Sequence, residues 1–133
     1  PDAPSRIYLV RFYTPEGSSV VKRFLVDDVP CQMETEPNNL IKSGNPIETV
    51  PRQIFGVLQK GGDVDVYRVS LKAGSTLVAT LDAQKWLQSP LDALIQLADE
   101  RGNVVAENID THNLDPQLSY TVKKDGVYAL RVM

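Results

Sequence analysis

Apolar and polar positions alternate with a period of two along most of the chain, and the alternation breaks at short clusters of Gly, Pro, Asn and Asp. That pattern predicts strands joined by turns. Residues 6–13 are β-branched and aromatic and read as a strand. Thr14-Pro15-Glu16-Gly17-Ser18-Ser19 reads as a turn, because Pro15 presets φ and Gly17 tolerates positive φ. Val20–Val26 is a second strand, so 6–26 is predicted as a hairpin ended by Asp27-Asp28-Val29-Pro30. The four prolines from Pro30 to Pro51 inclusive remove backbone donors and disfavour helix, which predicts an extended linker or wrapping loop there.

From Gln53 the alternation is steady. Strands are predicted over 53–59, 63–71, 76–82, 91–98, 103–107, 117–122 and 127–132, with one helical turn over 84–89. In the second of these, Tyr67, Val69 and Leu71 share one face, opposite Arg68 and Ser70. Frequent turns and no long helical period predict an all-β fold, an antiparallel sandwich or barrel with an extra N-terminal β-hairpin. The predicted division is a hairpin over 1–29, an acidic Pro-rich linker over 30–52 and a β-sandwich over 53–133.

Composition narrows the function classes. The net charge is −3, and no cluster of Lys and Arg is interleaved with aromatics, which argues against a nucleic-acid partner. No run approaches the ~18–20 apolar residues of a membrane span. Cys31 is the single cysteine, so no internal disulfide forms, and beside Pro30 it reads as an inert linker or packing thiol. The chain opens at Pro1-Asp2-Ala3-Pro4 without a Met and stops inside a predicted strand at Val132-Met133, as an excised piece of a longer protein would.

Two oxygen-rich stretches carry the candidate chemistry. One is Glu34-Thr35-Glu36-Pro37-Asn38-Asn39; the other is Asp63-Val64-Asp65 after Gly61-Gly62. If they meet in space, Glu34, Glu36, Asn38, Asn39, Asp63 and Asp65 offer the mixed carboxylate and amide oxygens that calcium takes. If they do not meet, they are a solvated linker and a polar turn, and an exposed Asp65 between Val64 and Val66 suits both readings. Asp110, His112, Asn113 and Asp115 form a second polar cluster, read as a surface loop because zinc needs more nitrogen and sulfur ligands. Trp86 is either an exposed stacking platform for a ligand or a partly buried aromatic closing one end of the sandwich. Tyr8, Phe12, Tyr67, Tyr120 and Tyr128 fall on strand positions and read as core or rim. A serine nucleophile would need His112, and no Gly-x-Ser-x-Gly elbow accompanies it, so the chain is read as non-enzymatic.

The order Glu-x-Glu-Pro-Asn-Asn, Gly-Asp-x-Asp-x-Tyr-Arg-Val, Lys-Ala-Gly-Ser-Thr-Leu, Leu-Asp-Ala-Leu-Ile and Asp-Gly-Val-Tyr-Ala-Leu-Arg-Val resembles the bacterial pre-peptidase C-terminal domain over residues 33–133. The resemblance implies a jelly-roll β-sandwich that accompanies catalytic modules in secreted, cell-surface or periplasmic bacterial proteins. Its expected partners are neighbouring domains of the same parent chain, with a polysaccharide or extracellular matrix protein as the alternative. Such domains are also similar to collagenase collagen-binding domains, whose acidic N-terminal segment helps bind calcium; Glu34, Glu36, Asn38 and Asn39 match that segment, and Asp63 and Asp65 match the pair opening the next strand. The exposed aromatic surface of the collagen binders has no match here. The hairpin at 6–26 is similar to the final strands of IPT/TIG immunoglobulin-like modules.

Overall fold

A computed structural model describes residues 3–111 and 113–133. In chain order the elements are β1 (Arg6–Val10), β2 (Tyr13–Thr14), β3 (Gly17–Ser18), β4 (Lys22–Val26), β5 (Cys31–Met33), β6 (Asn45–Ile47), β7 (Gln53–Phe55), β8 (Asp65–Leu71) and β9 (Thr76–Thr80). There follow a single helical turn, α1 (Gln84–Leu87), and then β10 (Ile95–Ala98), β11 (Val104–Asn108), β12 (Gln117–Thr121) and β13 (Gly126–Val132). The fold is all-β, as the alternation predicts.

The main sheet has five strands in the order β11-β10-β13-β8-β6, and β9 pairs with β12 in a separate ladder. Tyr67, Val69 and Leu71 of β8 do share one face, and that face looks inward. Val69 and Leu71 join Ile95, Leu97, Leu118, Val122 and Tyr128 in one buried cluster, with Leu77 and Tyr120 of the β9–β12 ladder packed against it. The ladder thus covers the main sheet as the second layer of a β-sandwich. Each fully buried Leu, Ile or Val there stabilises the fold by roughly 1.5–3 kcal/mol.

The opposite face of β8 is covered as well. Val66 is buried with Ala98 and Ala129, and Ile41 from the preceding loop packs on them. The loop comes so close that a Cβ on Gly44 would lie 2.9 Å from Val66 Cγ1 and 3.0 Å from the Val66 carbonyl oxygen. Only glycine fits there without a shift of the backbone.

The segment read as a linker carries short regular structure. Residues 30–52 hold two short strands, each in a parallel ladder: β5 with β7, and β6 with β8. Three-residue strands are too short for a period-two signal to stand out. Pro46 sits inside β6, which is the edge of its sheet, where a missing backbone donor is tolerated. The strand predicted at 53–59 ends at Phe55, and that predicted at 91–98 begins at Ile95.

The helical turn is held from a distance. Asp115 is buried, and its carboxylate accepts the backbone N–H groups of Ala83, Gln84 and Lys85 at 3.0, 2.8 and 2.8 Å. The N-terminal hairpin, β1 against β4 with β2 and β3 at its tip, touches the sandwich where Arg23 Nη1 donates to the Lys85 carbonyl at 2.6 Å.

Candidate metal centre

Residues 34–39 reach the start of β8 because the segment is pinned along its length. Asn45 clamps Thr35 through both backbone groups: its Oδ1 accepts the Thr35 N–H at 2.5 Å and its Nδ2 donates to the Thr35 carbonyl at 2.7 Å. The Asn38 carbonyl accepts the Val66 N–H at 3.2 Å, and Asn39 Nδ2 donates to Asp63 Oδ1 at 2.6 Å. The two acidic stretches therefore meet. One carboxylate oxygen from each of Glu36, Asp63 and Asp65 lies within 4.8 Å of the others.

Each member is held differently. Glu36 Oε2 accepts the Asn38 N–H at 2.6 Å. Asp63 accepts the Gln59 N–H at 2.7 Å and the Val64 N–H at 3.2 Å. The Gln59 backbone donor, foremost, holds the Asp63 carboxyl below its usual range, against the opposing effect of burial and with help from Asn39 and Val64. Glu34 stands beside the trio. Its Oε1 accepts the Val57 N–H at 2.5 Å, and its Oε2 accepts the Tyr67 hydroxyl at 3.0 Å.

Two oxygens in this group are buried and receive no donor: Asp65 Oδ1 and Asn38 Oδ1. Asp65 is 2% exposed and Asn38 is 0% exposed. Burial first, then its contact with the Glu34 carboxyl and the charges of Glu34, Asp63 and Glu36, pushes the Asp65 carboxyl up to about 7. Burial and the charges of Asp65 and Glu34 likewise keep the Tyr67 phenol protonated far above its ordinary range. Two ionised carboxylates have no proton to share, so Asp65 facing Glu34 is an unfavourable arrangement unless a cation or a proton joins them.

Both sequence readings suit an exposed Asp65; the structure buries it. The missed signal was in the strand itself. Asp65 lies two residues before Tyr67 and so belongs to the inward face of β8. From sequence Tyr67 reads only as core or rim, yet its hydroxyl orients Glu34. Gly56 carried no signal: a Cβ there would lie 2.6 Å from Glu34 Oε2 and 2.7 Å from Tyr67 Oη. Beside the cluster, an open cleft of about 430 Å³ is lined by Met33, Glu34, Glu36, Phe55, Gly56, Val57 and Gln59 and opens the two glutamates to solvent.

The other candidates fall apart as groups. Asp110 and Asn113 are exposed, Asp115 is buried under α1, and His112 lies outside the described residues, as does any catalytic arrangement built on it. Trp86 is half-buried, and Lys85 Nζ stands 4.6 Å from its ring centroid. Tyr67 and Tyr128 are buried, whereas Phe12, expected in core or rim, is exposed on the hairpin. Cys31 is exposed on β5, and its carbonyl accepts from Arg52 Nη1 at 3.4 Å.

Known proteins resemble this chain in sequence. The family model described as the bacterial pre-peptidase C-terminal domain matches residues 63–133. Over 101 residues, or 73% of the chain, the sequence is 32% identical to a probable subtilase-type serine protease of Deinococcus radiodurans. The matched region spans 14% of that protease's length. The family match opens at Asp63, so residues 34–39 lie outside it although they are packed against its first strand.

Proposed function

The chain belongs to the bacterial pre-peptidase C-terminal domain family, and from that membership we propose that it is a non-catalytic accessory domain of a larger exported bacterial protein, a hydrolase or surface protein. In this reading it works outside the cell, at the cell surface or in the periplasm, and it supports or positions neighbouring domains of the same polypeptide. A calcium ion at the cluster fastens the acidic segment to the sandwich.

The observation that carries the calcium reading is the pair of buried, donor-less oxygens, Asn38 Oδ1 and Asp65 Oδ1, beside the converging carboxylates of Glu36 and Asp63. The donor set fits a hard cation, which takes six to eight oxygens from carboxylates and carbonyls and has no use for nitrogen or sulfur. Glu36, Asp63, Asp65 and Asn38 would hold the ion, with Glu34 facing Asp65 and Asn39 orienting Asp63. The ion supplies charge neutralisation and cross-linking, not chemistry on a substrate. The Glu34 and Glu36 side chains that border the open cleft give solvent and ion a route to the cluster.

Calcium added to metal-stripped protein should raise the melting temperature. A ligand that binds only the native state stabilises it by about 2.7 kcal/mol at a hundredfold excess over Kd. Glu36→Ala and Asp63→Ala should each abolish the shift. No shift in protein shown to be metal-free retires the calcium site, and a shift that survives either substitution means that the two stretches do not share one ion. The rival reading, a carbohydrate- or matrix-protein-binding module acting through Trp86, has weaker support, because the ring is half-buried with a lysine over it.

A further inference from the structure

The hairpin is the least satisfied part of the molecule. In its ladder Leu9 faces Arg23 and Ile7 faces Leu25 on one side, while Tyr8 faces Phe24 on the other. Leu9 is 71% exposed and Phe24 59%, so large apolar groups meet solvent on both sides of one ribbon. Phe12, Tyr13 and Val20 extend the exposed surface to the tip. An antiparallel sheet that faces water does so on one polar side; apolar residues on both sides belong to a sheet that is covered. Among the described residues β1 and β4 pair only with each other, leaving each with one free edge. A two-stranded ribbon alone is marginally stable in water.

We propose that the 6–26 hairpin is a docking surface for another β-sheet module of the same polypeptide, which adds strands to its free edges and lays an apolar sheet across it. Three observations select that occupant. A second copy of this chain pairing with the hairpin across a two-fold axis uses the same edge of each copy and leaves the other edge open. A lipid surface accepts the aromatic side chains but leaves the free-edge N–H and C=O groups without partners. A β module satisfies both edges and covers a face, and the protease relative extends far beyond the 14% of its length matched here. The inference rests on the reading of this chain as one domain of a larger polypeptide and does not use the cation cluster.

The test compares hydrogen–deuterium exchange of peptides from 6–26 in the polypeptide as its gene encodes it and in this 133-residue chain. The expected result is exchange at least roughly tenfold slower in the encoded polypeptide, which corresponds to about 1.4 kcal/mol of local opening free energy. Phe24→Ser should leave the melting temperature of the 133-residue chain unchanged and return 6–26 to fast exchange in the encoded polypeptide. Equal exchange in the two proteins, or an encoded polypeptide without a further module, overturns the proposal. So does protection of the 133-residue chain that grows with its own concentration, or that appears only on vesicles of anionic phospholipid, since the first assigns the surface to a second copy and the second to a membrane.

Discussion

Tyr67 and Glu34, 33 residues apart in sequence, are joined by a hydrogen bond of 3.0 Å in which the phenol donates to the carboxylate. The same carboxylate accepts the Val57 N–H through its other oxygen. One side chain from the linker is therefore tied to the segment after β7 and to the first turns of β8. Glu34 is oriented before any ion arrives, and its negative charge is aimed at Asp65.

Tyr67→Phe removes the donor and keeps the ring. It should destabilise the metal-free protein by about 1–2 kcal/mol, the cost of losing a part-buried hydrogen bond to a charged acceptor. A lowered urea midpoint with unchanged slope is the readout. An unchanged midpoint means that Val57 and Asn38 suffice to anchor Glu34.

Gly56→Ala places a methyl group where Glu34 Oε2 and Tyr67 Oη now approach. Overpacking of this kind costs about 1–3 kcal/mol. Because Glu34 must move, the calcium-induced rise in melting temperature should shrink as well. A variant that keeps the full rise shows that Glu34 is not part of the cation's surroundings.

Asp65→Asn should act with opposite signs in two conditions. In metal-free protein above about pH 7, where the Asp65 carboxyl is ionised, it removes a buried charge that faces Glu34, and its amide can donate to that carboxylate; stability should rise there, on the order of 1–3 kcal/mol. In saturating calcium it removes a charged ligand, and stability should fall below that of the native chain. Thermal denaturation with and without calcium checks both signs.

Asp115→Asn tests a group that reads from sequence as part of a loop. Burial raises the Asp115 carboxyl, but the backbone donors of Gln84, Lys85 and Ala83 together outweigh it and hold it below its usual range. A carboxyl depressed in the folded state contributes stability that is present above its unfolded value, about 3.9, and is lost as pH falls through the folded value. The variant should be about 2–3 kcal/mol less stable at pH 7. The gap between the two proteins should close as the pH drops below about 4. A gap that stays constant in acid means that packing, not charge, is what Asp115 supplies.

The sequence made the sandwich legible and the linker illegible, for one physical reason. Val69, Leu71, Leu97 and Leu118 lie in strands long enough for alternation to show, and the alternation is the buried face itself. β5, β6 and β7 have three residues each, and their identity comes from parallel pairing across the fold, which no local window contains. The candidate site divides in the same way. Its carboxylates were visible as residue types, but their meeting depends on Asn45 clamping Thr35 and on Asn38 bonding to Val66. Asp65 is the exception: its register with Tyr67 already put it inside, and the apolar neighbours on either side hid that.

Residues 34–39 are bonded to 57–67 by side chains and backbone, so the stretch between them is closed into a loop at its base. Tension applied to the amino-terminal end travels through residue 30 into the β5–β7 ladder and that clasp, and from there on into β8. The point where a pull on this sandwich is taken up is thus set by the short β5–β7 ladder and by Glu34, Asn38 and Asn39, and not by the strands of its core.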